Sequence, residues 1–506
     1  MKPTITLPSN EPITRSFIFT LLAFCCVPFL FCSTTFAQNE NENDGNLLGD
    51  VARGQKLFEK VWKVQPSIHV NDPDGLGPLF NSRSCVGCHN QAGTGGAGDN
   101  SSNVQLLSVL PRKLGNGKFD LKANSIEQMF KNAEELHPQL AQTNAVVWHR
   151  HSTNDDYDSW RRDMLDFKKK RGWSELEHTG FFLARQEEIR KSVPVLRVNK
   201  GKRKSRFTLQ VSHRNTPSLF GTGLIEQIKE EDIREIARRQ ANSKSRVKGL
   251  VADLPDGTVG RFGWRGQESS LTNFTLQACA VELGLGNTIK EQLESPIKVV
   301  LNAEQKQRLA RAKERRERFE LENADRDAVR RHDVSESEIR DMVAYIAKLP
   351  APGRQKLFGN EAEHAHTGLS LFNNIGCAEC HVQTVGHIDG VYSDFLMHDM
   401  GKDLADVAGV INRRNAQLTI GGYFGSSTPV GPALTVGNDR LWQTPPLWGI
   451  ANSAPYLHDG RAKNLHEAII LHGGESFDSR ENYRSLSKTR KQKLLKFLST
   501  LGDAQP

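Results

Sequence analysis

Two five-residue strings limit this chain more than any other feature. Cys85, Cys88 and His89 form one Cys-x-x-Cys-His, and Cys377, Cys380 and His381 form the other, using four of the chain's eight cysteines. This is the spacing of c-type haem attachment: two thiols add to two vinyl groups, and the adjacent histidine ligates iron. Pooled, the four cysteines would instead make one tetrahedral zinc site; taken separately, they would be two redox dithiols. The zinc reading leaves both histidines unexplained. The dithiol reading wants a βαβ pattern nearby, and none is visible. The motifs therefore favour two covalently bound c-type haems.

The start of the chain supports export. Lys2 and Arg15 precede the apolar stretch Phe17 to Phe31, and "TFA" ends at Ala37 before polar sequence. Residues 1–37 read as a signal peptide, and an apolar run broken by Pro28 is short for a retained anchor. Removal of the signal takes Cys25, Cys26 and Cys32 with it. Cys279 is then the one cysteine outside the motifs, so the mature chain has no disulfide framework. A periplasmic or otherwise exported protein without a stable membrane span is expected. The formal charge of +8 is dispersed among many acids and bases, with no nucleic-acid-binding signature.

Aligning the chain on its two motifs exposes a repeat. "GQKLF" from Gly54 matches "GLSLF" from Gly368, and "NTPSLFG" from Asn215 matches "QTPPLWG" from Gln443. "FGWRGQESSL" from Phe262 matches "YLHDGRAKNL" from Tyr456, and each half closes on an amphipathic stretch, from Ser337 and from Thr489. Matches in one order predict two homologous modules, 46–350 and 351–506, meeting near "LPAPGR". The first carries insertions: a charged helix over 304–331 and a basic, solvated hairpin over 197–207. Strand signals are sparse and short, so helices joined by long irregular loops are expected.

The strings "SCVGCHNQAG", "RNTPSLFGTGLIEQI", "GRFGWRGQESSL", "FLMHDMGKDLADV" and "QTPPLWGIANSAPYLHDGRAKNLHEAIILHGGE" resemble the di-haem oxidoreductases. These are exported peroxidase-like proteins, some labelled thiol oxidoreductases. They are related to bacterial di-haem cytochrome c peroxidases. The resemblance runs from about Val51 to Leu501. It implies a mainly α fold of two cytochrome-c-like haem domains.

The resemblance also implies roles. In the peroxidases the segment similar to "YLHDGRAKNLHEAIILHG" ends in the sixth ligand of the C-terminal haem; here that position is His472, with Met400 or His398 as the alternatives. Trp264 corresponds to a tryptophan between the haems, although Arg265 stands where the peroxidases have aspartate. Glu282 corresponds to a distal glutamate over the peroxidatic iron. His149, His151, His178 and His213 are available to the N-terminal haem, and sequence does not choose among them. A calcium ion between the domains belongs to the peroxidase pattern, but no ligand set for it is legible here.

The expected function is electron transfer with peroxide reduction at the N-terminal haem. A small redox protein would be the electron donor or acceptor, and hydrogen peroxide the substrate. The alternatives are a non-catalytic di-haem electron carrier and a di-haem oxidase of a protein or thiol substrate.

Overall fold

The computed structural model describes residues 49–65, 74–111, 120, 122–141, 143–164, 166, 207–289, 292–293, 296–297, 332–406 and 438–502, with isolated positions between 307 and 314. Of 173–182, 192–200, 205–206, 409–412 and 417–420 it describes the backbone. The export segment lies outside these residues, and so does nearly all of the charged helix expected at 304–331. Contacts hold Asn46–Pro506 together as one compact unit. Among the described residues no helix is long and apolar enough to cross a membrane.

Eleven α-helices are present among the described residues. Those that frame the site are α1 (Val51–Glu59), α2 (Ala123–Ala133), α3 (Glu230–Asn242), α4 (Leu271–Glu282), α5 (Glu336–Lys348), α6 (Gly359–Asn374), α7 (Leu465–Leu471) and α8 (Lys488–Ser499). Helix α5 begins with a reciprocal capping box between Ser335 and Glu338, then buries Ile339, Met342, Tyr345 and Ile346 at three- and four-residue steps. It packs on α1, just as α8 packs on α6.

Both crossings are made at a glycine. A Cβ on Gly54 would lie 1.9 Å from the Asp341 carbonyl oxygen, and one on Gly368 would lie 2.1 Å from that of Lys493. The repeated glycine of "GQKLF" and "GLSLF" is thus the residue that lets each helix pair approach closely.

A second repeated device follows. Phe262 pairs antiparallel with Glu268, and Tyr456 pairs with Ala462. Each pairing closes a tight loop on a left-handed glycine, Gly266 at φ +60° and Gly460 at φ +69°. Each loop feeds a capped helix: Ser270 accepts from the Asn273 amide at the start of α4, and Asn464 from the Glu467 amide at the start of α7.

The sparse-strand expectation is corrected by a five-stranded antiparallel sheet. Its strands are β1 (Val104–Pro111), β2 (Ala145–Val147), β3 (Trp173–Phe182), β4 (Ser192–Lys200) and β5 (Ser205–Arg214), in the order β2-β1-β5-β4-β3. The hairpin expected over 197–207 is present as β4–β5, closing with Lys200 opposite Ser205. One face of the sheet joins α2 in a core containing Leu107, Val109, Phe130 and Leu209. Val104 and Leu106 of β1 pack with Val147 and Val281, and Phe274 and Ala278 lie against them. The sheet therefore backs α4 and fixes the end of that helix.

Candidate functional site

Each Cys-x-x-Cys-His closes into one turn. The His89 amide donates to the Cys85 carbonyl at 3.0 Å, and the His381 amide to the Cys377 carbonyl at 3.0 Å. Two thiols and an imidazole thereby project from one short segment. Phe58 lies 6.3 Å from the His89 ring at 52°, and Phe372 lies 6.4 Å from the His381 ring at 50°. Both phenylalanines come from the paired "KLF" and "SLF" strings, so the repeat in sequence is a repeat in space.

The imidazoles are oriented for ligation. His89 Nδ1 lies 3.0 Å from the Pro217 carbonyl oxygen, and His381 Nδ1 lies 3.0 Å from that of Tyr392. A carbonyl only accepts, so Nδ1 carries the proton and a neutral ring presents its lone pair at Nε2. Burial keeps the rings neutral, pushing both down to about 4.

The thiols behave unlike redox dithiols. Burial, then the neighbouring Cys88 or Cys380, pushes Cys85 and Cys377 up to about 12. Among the described residues, no cluster of metal-ligating atoms joins the two motifs, which removes the pooled zinc site.

His472 caps the C-terminal end of α7. Its Nδ1 lies 2.8 Å from the Ala468 carbonyl oxygen, so this ring also presents Nε2. After burial, the charge His472 would carry is the next cause that lowers the affinity of His381 for a proton. His398, an alternative ligand, has both ring nitrogens committed: Nε2 to Asp394 at 2.9 Å and Nδ1 to Glu475 at 2.7 Å. Met400 packs against the cluster of Leu404, Trp442, Ala468 and Leu471.

Trp264 bridges the segments around Asn215 and Gln443. Its indole N–H donates to the Asn215 carbonyl at 2.9 Å, and its own carbonyl accepts from the Gln443 amide at 3.1 Å. Its ring packs with Trp442 and with Ala468 and Leu471 of α7. Arg265 is 1% exposed. It donates to the carbonyls of Asp406 at 2.6 Å and Asp439 at 3.2 Å, with its guanidinium 4.2 Å from the Trp442 ring centroid. Trp442 in turn stacks on His458 at 3.6 Å and 11°. That stack was missed in sequence, where an isolated tryptophan reads as core packing.

Glu282 ends α4 beside the first motif. Its Oε2 accepts from the Asn81 side-chain amide at 2.7 Å, and its main-chain carbonyl accepts from the Asn81 amide at 2.8 Å. After burial, the Glu282 carboxylate is the next cause that pushes the Cys88 thiol upward. Asn81, which the sequence does not mark, thus holds Glu282 through both its side chain and its main chain. Aligned on Gly266 and Gly460, the position of His472 falls on Ala278 in α4.

The N-terminal histidines are placed as follows. His149 Nε2 lies 2.9 Å from the Val281 carbonyl oxygen and so carries a proton. His151 stacks on Phe80 at 5.4 Å, and His213 is half-buried in β5. The His178 side chain lies outside the described residues.

Comparison with known proteins fits these features. The family model described as "Di-haem oxidoreductase, putative peroxidase" matches residues 197–415 and 429–501, which include the second motif. Hydrazine synthase subunit gamma of Kuenenia stuttgartiensis is 26% identical over 149 residues, covering 28% of this chain and 42% of that protein. The chain thus spans less than half the length of that curated relative. Among solved structures, Kuenenia stuttgartiensis hydrazine synthase matches at 23% identity and a TM-score of 0.23, covering 34% of this chain and 58% of that one. A MauG-like protein associated with microbial copper homeostasis matches at 17% identity and a TM-score of 0.25, covering 54% and 90%. With its matched segments extending over more than half its length, the chain belongs to the di-haem oxidoreductase family.

Proposed function

We propose that this chain is an exported di-haem c-type cytochrome oxidoreductase that reduces hydrogen peroxide at its N-terminal haem. Two modules, 46–350 and 351–506, would each carry one haem: on Cys85, Cys88 and His89, and on Cys377, Cys380 and His381. The donor sets suit this cofactor, because each motif offers two thiols and a neutral imidazole whose Nδ1 is held by a backbone carbonyl. The bound haems would supply redox-active iron.

The observation that carries the assignment is the contrast between His472 and Ala278. Matching turns lead into α7 and α4. One delivers an imidazole toward the ligand of its module, and the other delivers a methyl group followed by Glu282. The C-terminal module would then be the electron-transfer site, where His381 and His472 would hold the iron. The N-terminal module is the reaction site. Trp264 lies on the route between them. Glu282 takes the proton from the inner peroxide oxygen and returns it to the leaving oxygen, while Asn81 holds its carboxylate. Two electrons and two protons then convert one peroxide to two waters. A small redox protein is the electron donor.

The test is electron paramagnetic resonance of the purified protein, oxidised and half-reduced, alongside peroxide turnover. One low-spin and one high-spin centre, with turnover, is the expected result. Two haems that remain low-spin on half-reduction, with no turnover, would make the chain an electron carrier.

A further inference from the structure

A buried positive charge beside Trp264 has no part in that scheme. Arg265 is 1% exposed, and its Nη2 donates to the carbonyls of Asp406 at 2.6 Å and Asp439 at 3.2 Å. Its Nε and Nη1 are also buried and meet no acceptor among the described residues. We propose that Arg265 anchors a buried binding site for one carboxylate group. That carboxylate is either a propionate of a bound haem or a small free carboxylate. The first source rests on the reading of the two motifs as haem attachment points; the second does not.

The first support is charge. Arg214 of β5 is paired with the Asp406 carboxylate, which also accepts from the Ser212 hydroxyl at 2.6 Å. Arg461 is paired with Asp459 at 2.6 Å. Each of those guanidinium groups has its own carboxylate, whereas Arg265 has none in contact among the described residues. The half-buried Asp439 acts on Arg265 with its carboxylate through charge alone. Burial, then Arg214, lowers Arg265 to about 10, so it is still a cation at neutral pH. The Trp442 ring, 4.2 Å from the guanidinium, offsets part of the cost of taking that cation out of water. It does not neutralise the charge.

The second support is a set of unused polar atoms. The N–H bond on Nε and the two on Nη1 of Arg265 all lack a protein acceptor. His458, stacked on Trp442 at 3.6 Å, is 3% exposed and leaves Nε2 unpartnered, 3.7 Å from Asp406 Oδ2. Burial, then Arg461, Arg214 and Arg265, holds this imidazole well below the ordinary histidine range, so it adds no charge. Water at such a place would accept hydrogen bonds and leave the cation uncompensated.

These features select the class of ligand. A metal ion is repelled by the two guanidinium groups of Arg214 and Arg265. One negative charge balances Arg265, and a carboxylate carries one, whereas a phosphate monoester carries about two. A carboxylate only accepts and a guanidinium only donates, so their hydrogen bonds are charge-assisted. The site lies beside the strap behind His89 and beside α7. The Asn215 amide donates to the His458 carbonyl at 2.8 Å, and Trp442 packs with Ala468 and Leu471.

The test compares the intact wild type, purified without carboxylate buffers, with Arg265→Gln and Arg265→Lys. If a haem propionate fills the site, a propionate bending band in the resonance Raman spectrum should shift in Arg265→Gln and be restored in Arg265→Lys. Sodium acetate should then leave wild-type melting unchanged. If a free carboxylate fills it, acetate should raise the wild-type melting temperature saturably, against sodium chloride at equal ionic strength, and have no such effect on Arg265→Gln. Either pattern supports the site and identifies the source. Superimposable Raman bands in all three proteins, with no acetate-specific rise, overturn the proposal. If the variants do not fold, a crystal structure of the wild type decides. A carboxylate oxygen within hydrogen-bond reach of Arg265 Nε or Nη1 supports the proposal, and water alone there overturns it. Mass measurement of the motif peptides reports haem attachment separately, so failure of the haem reading is seen on its own and removes only the first source.

Discussion

The indole N–H of Trp264 donates to the Asn215 carbonyl at 2.9 Å, and that carbonyl lies in the same short segment as Pro217, whose own carbonyl accepts from His89. The same indole packs on α7, which ends at His472. One side chain is thus tied at one end to the strap behind the first motif histidine and at the other to the helix that ends at His472. Trp264→Phe should keep most of the packing and remove the readily oxidised indole. Transfer between the haems should slow at least tenfold by stopped flow, while both haem spectra stay as in the wild type. Loss of the hydrogen bond should cost about 1 kcal/mol of stability.

The contrast between His472 and Ala278 can be tested from both sides. His472→Ala should turn the C-terminal haem from low-spin to high-spin. Ala278→His should introduce an imidazole at the matching place on α4, make the N-terminal haem low-spin and suppress peroxide turnover. An unchanged spectrum in either variant removes that residue's assignment.

Glu282→Gln preserves a side chain able to meet Asn81 and removes the proton acceptor. Turnover should fall by roughly 10²–10⁴, the usual range for a general acid–base group, with little change in KM. Asn81→Ala should give a smaller loss in kcat, since the carboxylate remains but is no longer aimed.

Acid stability should depend on Asp406. Burial raises its affinity for a proton, but Arg214 and Arg265, with the Ser212 hydroxyl, pull it below the ordinary carboxylate range. A depressed folded-state value means stability that is present above the unfolded value of roughly 3.9 and lost as pH falls through the folded one. Arg214→Met should strand a buried carboxylate, cost about 3–5 kcal/mol and move the acid-unfolding midpoint to higher pH. Circular dichroism against pH measures both.

The helix crossings at Gly54 and Gly368 leave no room for a methyl group. Gly54→Ala or Gly368→Ala should push the helices apart and destabilise by about 1–3 kcal/mol or more in denaturant unfolding.

The two Cys-x-x-Cys-His turns were legible in the chain because their pattern is local and fixed in spacing. Cys85, Cys88, His89 and their counterparts declare themselves without tertiary information, and duplication made Gly54, Gly368, Phe58 and Phe372 visible by comparison. The five-stranded sheet was not legible. The run Val104–Pro111 is almost continuously buried, with no alternation of apolar and polar residues to mark it as a strand. Long-range partners were equally hidden: Asn81 reaches Glu282, and Glu475 reaches His398, across stretches that no local pattern connects. In sequence His398 reads as a ligand candidate. Only the two facing carboxylates show why its nitrogens are unavailable.

The paired loops closed by Phe262–Glu268 and Tyr456–Ala462 bear on how such a molecule could diverge from a duplicated ancestor. Both loops aim a helix by backbone geometry that is independent of the residue delivered at its far end. What each helix presents can then be altered while both loops and the backbone they set remain intact.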